Sequence, residues 1–215
     1  MNNELRNELR NELRNELRNE KGQTLSEFLA EYDPSLYEHP SVTVDNIIFA
    51  DIDGRSAVLL IKRRNHPFIG CWAFPGGFLE KGEDVAEGAA RELIEETGVH
   101  GVRLRELGVY GRPDRDPRGW IITVAFTAGL PEGQLPKAAD DAADADLFYV
   151  DCDSAAGMTG NITLTAKRSA TVIKVPYSIR DGRAEFIPAE GIAGDHSQIL
   201  ADALIRLGMI ALKDE

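Results

Sequence analysis

Gly77-Phe78-Leu79-Glu80-Lys81-Gly82-Glu83-Asp84-Val85-Ala86-Glu87-Gly88-Ala89-Ala90-Arg91-Glu92-Leu93-Ile94-Glu95-Glu96-Thr97-Gly98-Val99 is the stretch on which the reading of this chain turns. From Asp84 to Thr97 there is no proline, and Val85, Ala86, Ala89, Ala90 and Leu93 recur at helical spacing, which predicts an amphipathic helix. Gly98 ends it. Glu92, Glu95 and Glu96 stand three and four positions apart, so their carboxylates share one face and one turn beside the apolar stripe. Like charges at this spacing disfavour a helix by a few tenths of a kcal/mol per pair, and the negative end of the helix dipole adds to the cost. A solvated acidic helix end would tolerate that cost; a bound cation would remove it. Just upstream lies Phe74-Pro75-Gly76-Gly77, where paired glycines let backbone approach a ligand or take positive φ, and their carbonyls can join the carboxylates. Hard oxygens crowded in this way suit Mg2+ or Mn2+, which bridge a few carboxylates to phosphate oxygens.

Gly77, Glu83, Arg91, Glu92, Leu93, Glu95, Glu96, Gly98 and Val99 together resemble the signature box of the Nudix hydrolases, with every defining position occupied. The likeness extends more loosely from Ser41 to Asp151. It implies an α/β fold, a Nudix-type α/β/α sandwich around a mixed sheet, and hydrolysis of a nucleoside diphosphate linked to another moiety with Mg2+ or Mn2+ as cofactor. By position in the box, Glu92, Glu95 and Glu96 become metal ligands, with the Gly77 carbonyl a further candidate. Glu83 and Arg91 join Glu92 and Glu95 as catalytic candidates. Arg91 lies four residues from Glu87 and from Glu95, so its guanidinium fork could hold carboxylates in place, or could form an ordinary surface ion pair. Enzymes with this box differ in whether a box glutamate or an acid from a later loop activates water. Asp140, Asp141, Asp144 and Asp146 fall in an alanine-rich loop before a strand starting at Leu147, and Asp141 and Asp144 are the candidates there.

The segment Arg112-Pro113-Asp114-Arg115-Asp116-Pro117-Arg118-Gly119-Trp120 is turn-rich, with arginines suited to phosphate and Trp120 suited to stacking on a base. It is similar to the corresponding loop of ADP-ribose pyrophosphatases and of Nudix-type regulators of NAD metabolism. Arg63, Arg64 and Trp72-Ala73-Phe74 flank the expected cleft, with core packing the alternative for the two rings. Candidate substrate contacts are Arg64, Phe74, Arg112, Arg118 and Trp120. His66, His100 and His196 lack paired ligand spacing and receive no catalytic role. The leading expectation is a pyrophosphohydrolase acting on ADP-ribose or a related nucleotide sugar. The alternatives are a non-catalytic nucleotide sensor or regulator, and an enzyme that clears oxidised nucleoside triphosphates.

Around this centre, 215 residues leave room for one substantial core. A net charge of -12 works against nucleic-acid backbone and anionic membrane, and suits a small nucleotide held through metal. Cys71 and Cys152 form no metal-ligand pair, and no apolar run approaches a membrane span or a signal peptide, so the expectation is a cytoplasmic protein with reduced thiols. Residues 1–22 are a low-complexity extension in which Asn-Glu-Leu-Arg repeats. A period of four drifts about 40° per repeat against the helix, so its leucines build no seam, and a solvated extension is favoured over an oligomerisation arm. Residues 23–40 form a lead-in segment, 41–151 the Nudix core, 152–193 a small β-rich appendage with a hairpin turn at Asp181-Gly182, and 194–215 a C-terminal helix packing on the core. Related ADP-ribose hydrolases are often dimers, so the resemblance leaves a homodimer open.

Overall fold

The structure is a computed structural model that describes Asn7 and residues 17–139, 142–153 and 158–211. It divides into two compact units, Met1–His39 and Pro40–Glu215. Most of the Asn-Glu-Leu-Arg repeat lies outside the described residues. In the first unit, helix α1 (Leu25–Glu31) starts at Thr24, whose hydroxyl accepts from the Glu27 backbone N–H while the Glu27 carboxylate accepts from the Thr24 N–H. This reciprocal cap satisfies two of the donors that a helix start leaves open. Nothing in α1 is buried, and the Tyr32 and Tyr37 rings stack at 5.8 Å.

The second unit is built on one sheet: β1 (Ser41–Ile52), β2 (Arg55–Arg63), β3 (Trp72–Ala73), β4 (Arg105–Tyr110), β5 (Ile121–Gly129), β6 (Ala142–Cys152), β7 (Thr159–Ala166), β8 (Val172–Arg180) and β9 (Arg183–Ala184). The strand order is β4-β5-β1-β2-β6-β7-β8-β9, with β3 also on β2. β1 and β5 run parallel from Ser41↔Ile121 to Phe49↔Gly129, and the other neighbours are antiparallel. Successive strand residues point to opposite faces, and the core follows that alternation. Ile47, Val58 and Leu60 join one apolar cluster with Phe148 and with Ile199 and Leu204 of helix α3 (His196–Arg206). Ile48, Leu59 and Ile61 join another with Leu93 of helix α2 (Val85–Thr97). The two helices therefore cover opposite faces, which is the expected α/β/α sandwich around a mixed sheet.

Two expectations are corrected. The segment 152–193 is no separate appendage, because β7 bonds to β6 in the register Phe148↔Ala166 to Cys152↔Ile162, and β8 bonds to β7. Its alternating side chains, Ile162 and Leu164 among them, fill the same core cluster as Trp72 and Phe148. Likewise Asp144 and Asp146 sit on a strand, since β6 begins at Ala142 and pairs Lys62 with Asp144.

Helix α2 forms where the periodicity places it. Asp84 caps its start by accepting from Ala86 N–H, and Glu87 completes a capping box. Gly98, at φ 72°, ends it in the left-handed region and donates to the Ile94 carbonyl. The fully buried Asn46 of β1 ties this helix to the loop before it, its Nδ2 donating to the Ala89 carbonyl at 2.9 Å and the Pro75 carbonyl at 3.3 Å. Leu93→Ala should destabilise the protein by about 2–5 kcal/mol, because it removes a side chain with no solvent exposure and leaves a cavity under the helix. Urea unfolding measures this, and a loss below about 1 kcal/mol would show that α2 is not docked through Leu93.

Candidate active site

The loop Pro75-Gly76-Gly77 runs beside β1, held by Asn46 N–H to the Pro75 carbonyl and Val44 N–H to the Gly77 carbonyl. A Cβ on Gly76 would come within 2.0 Å of the Val44 carbonyl oxygen, and one on Gly77 within 2.4 Å of Glu92 Oε1. Close approach therefore requires glycine at 76, where the obstacle is backbone, while at 77 a side chain would displace the Glu92 carboxylate. Gly76 N–H donates to Glu96 Oε2 at 2.8 Å, fixing the carboxylate of the last helical turn against the loop.

Arg91 organises the other carboxylates. Its Nε and Nη2 grip Glu83 through both oxygens at 2.8 and 3.0 Å, and Nη2 also donates to the Phe78 carbonyl. Its Nη1 donates to Glu92 at 2.8 Å and Glu95 at 3.0 Å. Glu83 accepts from Glu80 N–H as well. Its pKa is lowered, chiefly by the hydrogen bond from Arg91. Burial pushes Glu92 up, and pushes Glu96 up to about 8, with the Gly76 N–H opposing and the neighbouring Glu92 charge adding to the rise. Three carboxylates thus share one guanidinium, and Glu96, the most buried of the four, is held by a backbone N–H instead.

These groups form one wall of a cavity of about 480 Å³. Arg63, Arg64, Asp45, Arg115, Asp116 and Arg118 line the rest of it. Among the described residues no three acidic, histidine or cysteine side chains already form a closed cation cage, since Arg91 engages Glu92 and Glu95. The donors nevertheless suit a hard divalent cation. They are oxygen only, they carry excess negative charge, and burial that raises Glu92 and Glu96 is what a bound cation would counter.

The other expected residues divide. Arg64 lines the cavity and donates to the Ala142 carbonyl at 2.9 Å. Arg118 lines it too, oriented by a bidentate pair with Asp116 at 2.9 and 2.7 Å and lying 4.8 Å over the Phe78 ring. Phe74 is only 2% exposed and does not face the cavity; it packs in the core and stacks on His196. Arg112 lies over the Phe186 ring at 4.2 Å, and Trp120 is 52% exposed, both away from the cavity lining. Asp144 is ion-paired with Arg168 at 2.8 Å and also lies outside that lining. Asp141 lies outside the described residues. Arg115 of the turn-rich segment lines the cavity as well, and so do Asp45 and Asp116, for which no role was expected. For Asp45 a signal was present: Asp45-Asn46 interrupts an apolar strand, and buried polar residues need partners.

The NUDIX domain model matches residues 39–171. This chain belongs to the Nudix family. It is 51% identical over 113 residues to an ADP-ribose pyrophosphatase of Methanocaldococcus jannaschii, covering 53% of this chain and 64% of that protein. It is 43% identical over 103 residues to the ADPR responsive transcriptional repressor NtrR of Acinetobacter baylyi, covering 47% of this chain and 41% of that protein. The chain thus spans less than two thirds of either relative. A MutT/nudix family protein from Enterococcus faecalis superposes with a TM-score of 0.71 at 33% identity, over 87% of this chain and 71% of that one. The NUDIX domain of Shewanella oneidensis NrtR, complexed with ADP ribose, superposes at 0.55 with 35% identity, over 59% of this chain and 84% of that one.

The raised carboxyls set a pH dependence for the metal-free protein. A carboxyl whose folded pKa lies above its unfolded value keeps its proton longer in the native state, so stability falls as pH rises from about 4.5 towards about 8. In EDTA the melting temperature of the wild type should fall across that window, and Glu96→Gln should remove most of the fall. Parallel curves for the two proteins would contradict the burial of an uncompensated carboxyl at Glu96.

Proposed function

We propose that this Nudix protein is a divalent-cation-dependent pyrophosphohydrolase acting on ADP-ribose or a related nucleotide sugar. The observation that carries the proposal is that the carboxylates around Arg91, Glu96 beside them, and Arg63, Arg64 and Arg118 line one cavity. Likeness to an ADP-ribose pyrophosphatase and to a domain complexed with ADP ribose supports the choice of substrate.

Glu92, Glu95 and Glu96, with the Gly77 carbonyl, would hold Mg2+ or Mn2+, which when bound supplies charge neutralisation on the diphosphate and a more acidic water. The arginines opposite receive the non-bridging phosphate oxygens, with Arg118 pre-oriented by Asp116. Arg91 and Glu83 keep the glutamates aligned. A water oxygen attacks one phosphorus, the bond from that phosphorus to the bridging oxygen breaks, and AMP and ribose 5-phosphate separate. The water's proton needs an acceptor with a free lone pair. Glu83 has both oxygens in bonds and Asp144 lies outside the cavity lining, whereas Glu95 lines the cavity and, with its side chain 46% exposed and one bond to Arg91, retains that capacity.

A second reading is a nucleotide-responsive regulator, favoured by the 43% identity to a repressor. The net charge of -12 argues against tight binding to a phosphate backbone. With Mg2+, the wild type should convert ADP-ribose to AMP and ribose 5-phosphate, and Glu95→Gln and Glu96→Gln should each lower kcat by at least about 100-fold. ADP-ribose binding without turnover, together with a DNA mobility shift, would replace the enzyme with the regulator.

A further inference from the structure

Asp195 stands at the N-cap of α3, yet its side chain makes no capping bond. Such a cap is ordinarily favourable. Both its oxygens go instead to Arg115, which donates from Nε and Nη2 at 2.8 Å each, in a pair whose side chains are 5% and 3% exposed. Arg115 belongs to the loop between β4 and β5 that also carries Asp116 and Arg118, so this pair fastens the basic wall of the cavity to the start of α3.

The next residue does the corresponding work on the strand that leads into the glycine loop. His196 Nδ1 accepts from Phe74 N–H at 2.9 Å, and its ring stacks on the Phe74 ring with centroids 5.2 Å apart. Acceptance at Nδ1 places the ring hydrogen on Nε2, which faces Asp45 Oδ1 at 3.6 Å. Two residues after Phe74, Gly76 N–H sets the Glu96 carboxylate. Asp45 closes the network between the two walls: Thr123 Oγ1 donates to its Oδ2 at 2.7 Å, and Arg115 Nη2 lies 3.9 Å from the same oxygen.

The geometry points to Asp195 and His196 as paired positioning residues, Asp195 setting the substrate-binding loop through Arg115 and His196 setting the glycine loop and Glu96 through Phe74. Neither lines the cavity. The inference rests on the pyrophosphohydrolase reading, and assigns to two adjacent residues two separable kinetic effects. Losing the Arg115 clamp frees a wall that binds the diphosphate before and during reaction alike, which raises KM. Losing the Phe74 bond lets Gly76 and Glu96 drift, and misplacement at the reacting centre lowers kcat.

The test is steady-state kinetics of the full chain with ADP-ribose and Mg2+, beside thermal melting of each variant. Asp195→Asn should raise KM about 10-fold with kcat within about 3-fold of wild type. His196→Ala should lower kcat about 10-fold with KM little changed. His196→Asn, whose Oδ1 can accept from Phe74 N–H in place of Nδ1, should recover most of that loss. If Asp195→Asn fails to fold, Asp195→Ser keeps a favourable N-cap residue and leaves Arg115 in place while removing the clamp, and it should show the raised KM. The inference is overturned if KM and kcat move together in both variants, if neither moves, if the effects only track melting temperature, or if His196→Asn behaves as His196→Ala. A wild type that does not hydrolyse ADP-ribose would instead overturn the underlying reading, and the inference with it.

Discussion

The arrangement depends on a single guanidinium. Arg91 projects from the middle of α2 and satisfies Glu83, Glu92, Glu95 and the Phe78 carbonyl together, so four groups separated in sequence are held in one place. Lysine could not substitute, because an ammonium is a point charge without the planar fork that grips Glu83 through both oxygens. Glutamates that repel one another along a helix become tolerable when a cation sits among them. They stay oriented because Gly76 and Gly77 let the backbone come close enough to touch Glu96 and Glu92.

The walls of the cavity use charge in opposite ways. On the helix side the negative charge exceeds the single guanidinium. In the same lining Arg63, Arg64 and Arg118 present positive charge, tempered by Asp45 and Asp116. A diphosphate needs both: donors for its own oxygens, and oxygen ligands for the metal ion that accompanies it. The sheet makes this possible because β1 supplies Asp45 and Asn46 side by side. Asn46 holds α2 and the glycine loop, and Asp45 lines the cavity and faces α3 through His196.

The helix, its stop at Gly98 and the glutamate face were legible because each is a local matter of spacing within a few turns. What stayed hidden depends on residues far apart in the chain. Arg115 and Asp195 are 80 positions apart, and nothing near either one announces the other. Turn chemistry marked β8 and its neighbours as strands, but their place in the central sheet is a question of register with β6, which local pattern does not encode. Phe74 and Trp120 were proposed as substrate contacts because aromatic rings suit both a core and a base. Here one is buried against His196 and the other lies outside the cavity lining.

The central claim is that the turn bearing Glu92, Glu95 and Glu96 holds divalent metal. Anomalous diffraction from crystals soaked in Mn2+ tests it most directly. A manganese peak within bonding distance of these carboxylates, absent from crystals of Glu92→Gln, is the predicted result. Manganese bound elsewhere, or no peak at saturating Mn2+ with nucleotide present, would contradict it.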